Sequence, residues 1–261
     1  MLGHVKDNLE TRVTTFIAFL GGLINLAAQS LYWMVLPPYK RQRIFEQAKK
    51  AGVDSFFIVA LISFSIGIIL AFQISYMMVR FGAEMYISSI VALALVRELG
   101  PIITSLVVAG RVGAAITAEL GSMQVTEQID ALESLATNPV KYLVVPRLIA
   151  LAVTLPILTL YADLIGIVGG WLICVTKLGL SSRMYWNVTF DSLRFKDLFT
   201  GLSKTVVFGM IIAWVSCYEG FNVEGGAEGV GKATTRSVVT SFILIIACDC
   251  FFTALFYFIF P

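Results

Sequence analysis

The chain has 261 residues, of which 58% are hydrophobic and 14% charged, and its net charge is +2. A soluble domain carries about 25% charged and about 45–50% apolar residues, so the apolar excess here must face lipid, which excludes a soluble enzyme. A near-neutral chain also lacks the basic surface that a nucleic-acid backbone requires, so no nucleic-acid partner is expected.

The only histidine, His4, lies near the start, which removes imidazole from any catalytic arrangement in the core. The first apolar run, Val13 to Pro38, is interrupted by Gly21, Gly22, Asn25 and Gln29 and ends at Pro37-Pro38. It either spans or lies flat. Its polar residues, with Tyr32 and Trp33, suit the headgroup boundary, so an interfacial helix is the expectation. No small-residue cleavage site follows the run, so this segment is expected to remain in the mature protein.

A spanning helix needs about 20 mostly apolar residues, because each rises 1.5 Å through a layer about 30 Å thick. Five segments qualify: Asp54 to Val79, Met85 to Ala118, Pro146 to Thr176, Leu198 to Tyr218 and Ser237 to Phe260. None alternates with period two, so they read as helices rather than barrel strands. The expected fold is an all-α integral membrane protein, with residues 1–53 as an N-terminal segment and 54–261 as the membrane domain. Lys40, Arg41, Arg43, Lys49 and Lys50 precede the first of these spans, whereas the next loop offers only Arg80. The positive-inside rule then places that run in the cytoplasm, together with Glu119 to Arg147 and Glu219 to Arg236, although Lys177, Arg183, Arg194 and Lys196 in the outer loop run against it.

Arg97, Glu98, Arg111, Asp163, Lys204 and Asp249 fall within or at the edges of these spans. An ionised group at mid-bilayer costs at least about 2.5–3.5 kcal/mol, so such residues need partners or water. They either line a polar route or form structural pairs and snorkel at helix ends. Gly100-Pro101 follows Arg97-Glu98 directly, and its missing backbone donor permits a kink beside the charges. Small residues recur at helix-packing spacing in Ala109, Gly113, Thr117 and Gly121, and again in Gly166 and Gly170.

Val125 to Ala136 reads as a short amphipathic helix, with Glu127, Asp130 and Glu133 on one face and Ile129, Leu132, Leu135 and Ala136 on the other. The acidic face is either simply solvated or a docking knob for a cytoplasmic partner. Gly226 to Lys232 imitates the start of a phosphate-binding loop, but Ala233 stands where a magnesium-binding hydroxyl is needed and no α/β domain surrounds it. A flexible glycine-rich connector is expected instead. Cys174, Cys217, Cys248 and Cys250 sit in apolar stretches without metal-site spacing, so no metal site is expected.

The stretch Leu93 to Arg147 resembles the MlaE family of permease subunits, the membrane component of ABC systems that move phospholipid with MCE-domain proteins. The likeness rests on Leu95-Val-Arg97-Glu98-Leu-Gly-Pro101, Ala109-Gly-Arg-Val-Gly113, Thr117-Ala-Glu119-Leu-Gly121, Met123 to Gln128 and Asn138-Pro139 before Pro146-Arg147. Lys204-Thr-Val-Val-Phe208 and Gly231 to Val239 continue it. The resemblance implies an interfacial N-terminal helix, five spans and a homodimer enclosing a lipid cavity; no Arg- and Ser-rich transit segment precedes Val13, so a bacterial inner membrane is expected over an organelle envelope. The resemblance also implies that the helix bearing Glu127, Asp130 and Glu133 docks on a separate ATPase, which holds the ATP and magnesium, while this chain binds no cofactor and performs no catalysis. Gln73, Arg97, Glu98, Lys204 and Asp249 match polar positions in the family's membrane region, as cavity-lining or charge-pairing candidates. The competing expectation is an ion-coupled secondary carrier that uses the intramembrane carboxylates Glu98 or Asp249. The absence of an internal repeat counts against it.

Overall fold

The computed structural model describes residues 2–36 and 41–259, with side chains for 17–36 and 41–258. Pro37-Pro38, Lys40 and Phe260, and the side chains of His4 and Val13, lie outside the described residues. Every regular element described is helical, giving the all-α membrane fold expected from composition.

We number the helices α1 (Leu2–Val35), α2 (Arg41–Gly52), α3 (Phe56–Met78), α4 (Glu84–Val125), α5 (Gln128–Ser134), α6 (Val140–Thr176), α7 (Ser182–Ser192), α8 (Phe195–Phe221) and α9 (Gly226–Ile259). Among the described residues, six stretches are long and apolar enough to cross a membrane, one more than the five read from the sequence. The addition is Ile17–Val35 in α1. Its two amides offset part of each other's cost, since Gln29 Nε2 donates to Asn25 Oδ1 at 3.2 Å. Trp214 of α8 donates to Ser30 Oγ at 2.8 Å, and Phe19 meets the Tyr218 ring edge-on at 5.2 Å, so one face of α1 is held against α8. Helices α4, α6, α8 and α9 begin before the expected spans, because nothing in lipid or headgroup obliges a helix to stop at the hydrocarbon edge, while α3 lies within its expected range.

The long helix α6 forms the centre, with 61% of its apolar window buried. On one side α3 packs against it, on the other α8, while α4 touches both and α9 leans on α4 and α8. Lipid supplies no hydrophobic drive between helices, so close van der Waals approach must hold the bundle together. Glycine allows it: a Cβ at Gly67 of α3 would run into the carbonyl oxygen of Gly166 of α6, and one at Gly209 of α8 would meet the Leu151 carbonyl at 2.6 Å. Gly113 and Gly121 serve α4 likewise, against Ser216 and Val223. Thr117 donates to Ser237 at 2.8 Å, tying α4 to α9.

Helix α4 is continuous but not uniformly α-helical. It relaxes into π turns at Leu95–Leu99 and Ala109–Gly113, and a third π turn, Val140–Val144, opens α6. The kink-permitting feature read at Gly100-Pro101 is therefore realised as a π turn just before the proline. At the opposite end of α9, the glycine-rich stretch from Gly226 is helical, correcting the flexible connector expected there. Gly225 and Gly226 take positive φ to make the turn, and Lys232 pairs with Glu228 one turn away at 2.7 Å.

Candidate functional site

The intramembrane charges read from the sequence do not lie scattered. Arg97 and Glu98 sit in the first π turn of α4, Lys204 lies on α8 and Asp249 on α9, and the three helices bring them together around the Lys204 ammonium. Lys204 is fully buried. Its Nζ lies 2.7 Å from Glu98 Oε2, 3.0 Å from Asp249 Oδ1 and 2.8 Å from Thr253 Oγ1. The three ammonium protons are matched by Glu98 Oε2, Thr253 Oγ1 and the Arg97 carbonyl at 3.4 Å, while Asp249 is ion-paired with the lysine without a hydrogen bond. Thr253 passes its own proton to Glu98 at 3.1 Å, so the carboxylate is held from two helices.

Backbone chemistry explains the position of this lysine. Pro101 has no N–H, so the carbonyls of Val96 and Arg97, the two that a residue at this position serves in π or α bonding, receive nothing from it. Gly100 N–H already goes to Leu95 O. Helix α8 crosses at this point: Gly201 brings its Cα against the Val96 carbonyl, where a Cβ would clash, and Lys204 Nζ approaches Arg97 O at 3.4 Å. The π turn, the proline and the buried lysine thus form one local solution to unsatisfied backbone groups in lipid.

Next to this cluster, Arg97 Nε donates to Asp197 Oδ1 at 2.7 Å, and a second guanidinium nitrogen is paired with the same oxygen. Asp197 is buried in the first turn of α8, where its carboxylate also accepts from the Arg194 N–H at 2.9 Å and its own N–H donates to the Arg194 carbonyl at 2.9 Å. With every group ionised, two cations face three carboxylates. Arg97 is still 54% exposed, because it forms the wall of a cavity of about 580 Å³ that Glu98, Asp197 and Thr253 also line. Arg194 and Lys196 stand at its rim and Phe256 and Tyr257 supply an aromatic side, so charge and apolar surface adjoin.

Of the candidates, Arg97, Glu98, Lys204 and Asp249 thus share one cluster, whereas Gln73 stands apart, exposed on α3. Arg111 belongs to the second π turn and bonds Ser55 at 2.7 Å. Asp163 is buried on α6 against Gly100. Two members of the cluster were not singled out from the sequence. Asp197 sat in a loop next to a predicted span, where an acidic residue just before an apolar run was the available sign of a helix first turn. Thr253 carries a hydroxyl, which costs too little in lipid to draw notice.

At the other end of α4, the acidic residues Glu127, Asp130 and Glu133 are all exposed. The helix expected over 125–136 is shorter: α5 runs from Gln128 to Ser134, and Glu127 is its N-cap in a left-handed conformation with φ of 57°. Ala136 also turns left-handed after it. Ile129 is buried and Leu132 half-buried, so the apolar face docks on the bundle, but Leu135 is 76% exposed beside the acidic residues.

A family model described as Permease MlaE matches residues 44–255. The chain is 42% identical to a probable ABC transporter permease protein of Rickettsia conorii over 257 residues, covering 98% of this chain and 99% of that one. It is 36% identical over 213 residues to the intermembrane phospholipid transport system permease protein MlaE of Haemophilus influenzae, covering 81% and 82%. It is also 38% identical over 212 residues to the chloroplastic protein trigalactosyldiacylglycerol 1 of Arabidopsis thaliana, covering 81% of this chain and 61% of that one.

Proposed function

The chain belongs to the MlaE permease family, and from that premise we propose that it is the membrane subunit of an ABC system that moves phospholipid between membranes, working as a homodimer in a bacterial inner membrane. The observation that carries this reading is the charged cluster around Lys204, open through Arg97 to a cavity with both polar and aromatic walls. A phospholipid has the same two characters, an ionic headgroup and apolar chains.

This chain performs no chemistry in the proposal. A separate cytoplasmic ATPase binds ATP and magnesium, and an MCE-domain protein handles lipid beyond the membrane. The cation-rich α2 and the α5 end of the bundle face the cytoplasm, where Glu127, Asp130, Glu133 and the exposed Leu135 form the docking knob. One continuous helix joins that knob to the cluster, since α4 runs from Arg97 to Val125 over a distance of about 40 Å at 1.5 Å per residue. Displacement at the docking end therefore reaches the cavity through α4 and its two π turns. Nucleotide drives transport only if the ATPase state it favours binds one permease conformation better than the other.

The ion-coupled alternative is disfavoured by geometry. Glu98 and Asp249 both contact the ammonium of Lys204, so a transported cation would have to displace a buried lysine from both. The deciding experiment is purification of the tagged chain in nanodiscs from its own cells, with mass spectrometry of proteins and lipids. A stoichiometric ATPase and MCE-type protein with bound phospholipid are expected. Ion-driven transport by the chain alone in liposomes would overturn the reading. Glu127→Lys with Asp130→Lys is expected to lower lipid-stimulated ATP hydrolysis about tenfold or more, as like charges replace a docking contact. Asp249→Asn with unchanged assembly and turnover would remove that residue from the mechanism.

A further inference from the structure

We infer a second lipid site, on the cytoplasmic side: a cleft between α2, α4 and the start of α6 that takes the phosphate-bearing headgroup of a phospholipid in the cytoplasmic leaflet. The cleft has a volume of about 410 Å³ and does not share a residue with the cavity beside Lys204. It rests on the permease reading only for the side of the membrane assigned to it.

The donors in its wall exceed the acceptors. Arg147 is 3% exposed and lines the cleft. Its Nη1 donates to the Leu143 carbonyl at 2.8 Å and its Nη2 pairs with Glu119 at 3.2 Å, but its buried Nε has no acceptor. Glu119 is also the partner of Lys50, at 3.9 Å, so one carboxylate answers two cations. Arg43, a third cation in the wall, is held by Tyr142, with the guanidinium 3.6 Å over the ring and a hydrogen bond to the hydroxyl. Glu46 is the other carboxylate here, and it accepts from Gln42 at 3.1 Å. Three cations of which two share one carboxylate is chemistry suited to a phosphodiester oxygen.

The polarity along the groove selects a lipid over a soluble anion. A second cavity of about 340 Å³ shares Gln47, Lys50 and Glu119 with the first and continues past the ion-paired Asp54 and Arg111 to Val112, Ala115 and Ile116. Apart from that mutually neutralised pair, a basic wall adjoins an apolar one, as a phospholipid headgroup adjoins its chains. The site also touches the docking element, since Gln128 and Leu132 of α5 line the same cleft. An occupant therefore contacts α5.

The test is photolabelling of the purified complex in phosphatidylcholine nanodiscs, without ATP, by a phosphatidylethanolamine probe whose photoreactive group lies next to the phosphate. Peptides spanning 43–50 and 119–147 are expected to carry the label, and Arg43→Gln with Lys50→Gln to lower it about tenfold, the equivalent of one lost charge-assisted contact. Lys50→Gln alone, at the more exposed position, serves if the pair fails to fold. A diacylglycerol carrying the same photoreactive group is expected to leave these peptides unlabelled. Equal labelling by diacylglycerol, or labelling insensitive to both variants, overturns the site. Protection of the cleft by millimolar inorganic phosphate with no lipid label assigns it to a soluble anion and overturns the lipid identity. Because the readout needs neither nucleotide nor transport, failure of the permease reading would leave it unchanged.

Discussion

Lys204 places a full charge where none of its surface reaches solvent, so its worth depends on its neighbours. Removing one partner of such a pair leaves an uncompensated buried charge and costs about 3–5 kcal/mol, whereas removing all partners together can be nearly neutral. Lys204→Met is therefore expected to lower the unfolding temperature in detergent sharply, because Glu98 and Asp249 lose their shared cation. Adding Glu98→Gln and Asp249→Asn to it is expected to restore most of the stability while transport stays lost, which separates the cluster's structural role from its functional one. These residues were legible in the sequence because charge in lipid is costly and stands out. Their mutual arrangement was not, since it depends on three helices distant in the chain, Glu98 and Lys204 lying 106 positions apart. Glu127 shows the opposite limit: a glutamate in a left-handed conformation follows no composition rule, because that region favours glycine and asparagine.

At the level of the element, the five spans were readable from length and hydropathy, but the internal form of α4 was not. The Arg97-Glu98 and Gly100-Pro101 pairs indicated a disturbance, and only the packing of Gly201 and Lys204 against the freed carbonyls makes it a π turn. Pro101→Ala restores one N–H to α4, and a net backbone hydrogen bond is worth about 0.5–1.5 kcal/mol. Amide exchange over residues 95–101 is expected to slow about two- to tenfold, with transport reduced, as the turn regularises. Gly67→Leu tests the small-residue contacts. It would drive a side chain into the Gly166 backbone, and overpacking of this kind costs about 1–3 kcal/mol or more, so loss of monodisperse protein on size exclusion is expected. The N-terminal run has the length and hydropathy of a span as well as the polar residues of an interfacial helix, and the Gln29–Asn25 hydrogen bond lowers the cost of its amides in either placement.

On the scale of the whole molecule, coverage is uneven. The window of α6 is 61% buried and that of α9 only 17%, with Ile243, Ile246, Phe251 and Tyr257 exposed along it. Such a surface suits lipid or a second copy, and a proposed homodimer predicts that the chain elutes from mild detergent with the mass of two copies, read by light scattering. The tight contacts lie instead among α3, α4, α6 and α8, where glycines let backbones touch. Lys204 adds a consequence of its own. By approaching the Arg97 carbonyl it stands in for the amide proton that Pro101 cannot provide, so one helix is completed by a side chain of another. Pulling α8 away from α4 would break an ion pair and uncover a backbone group in the same instant. The two helices are thus spliced into a single strut, and any widening of the cavity has to come from whatever slides along its loosely covered flank.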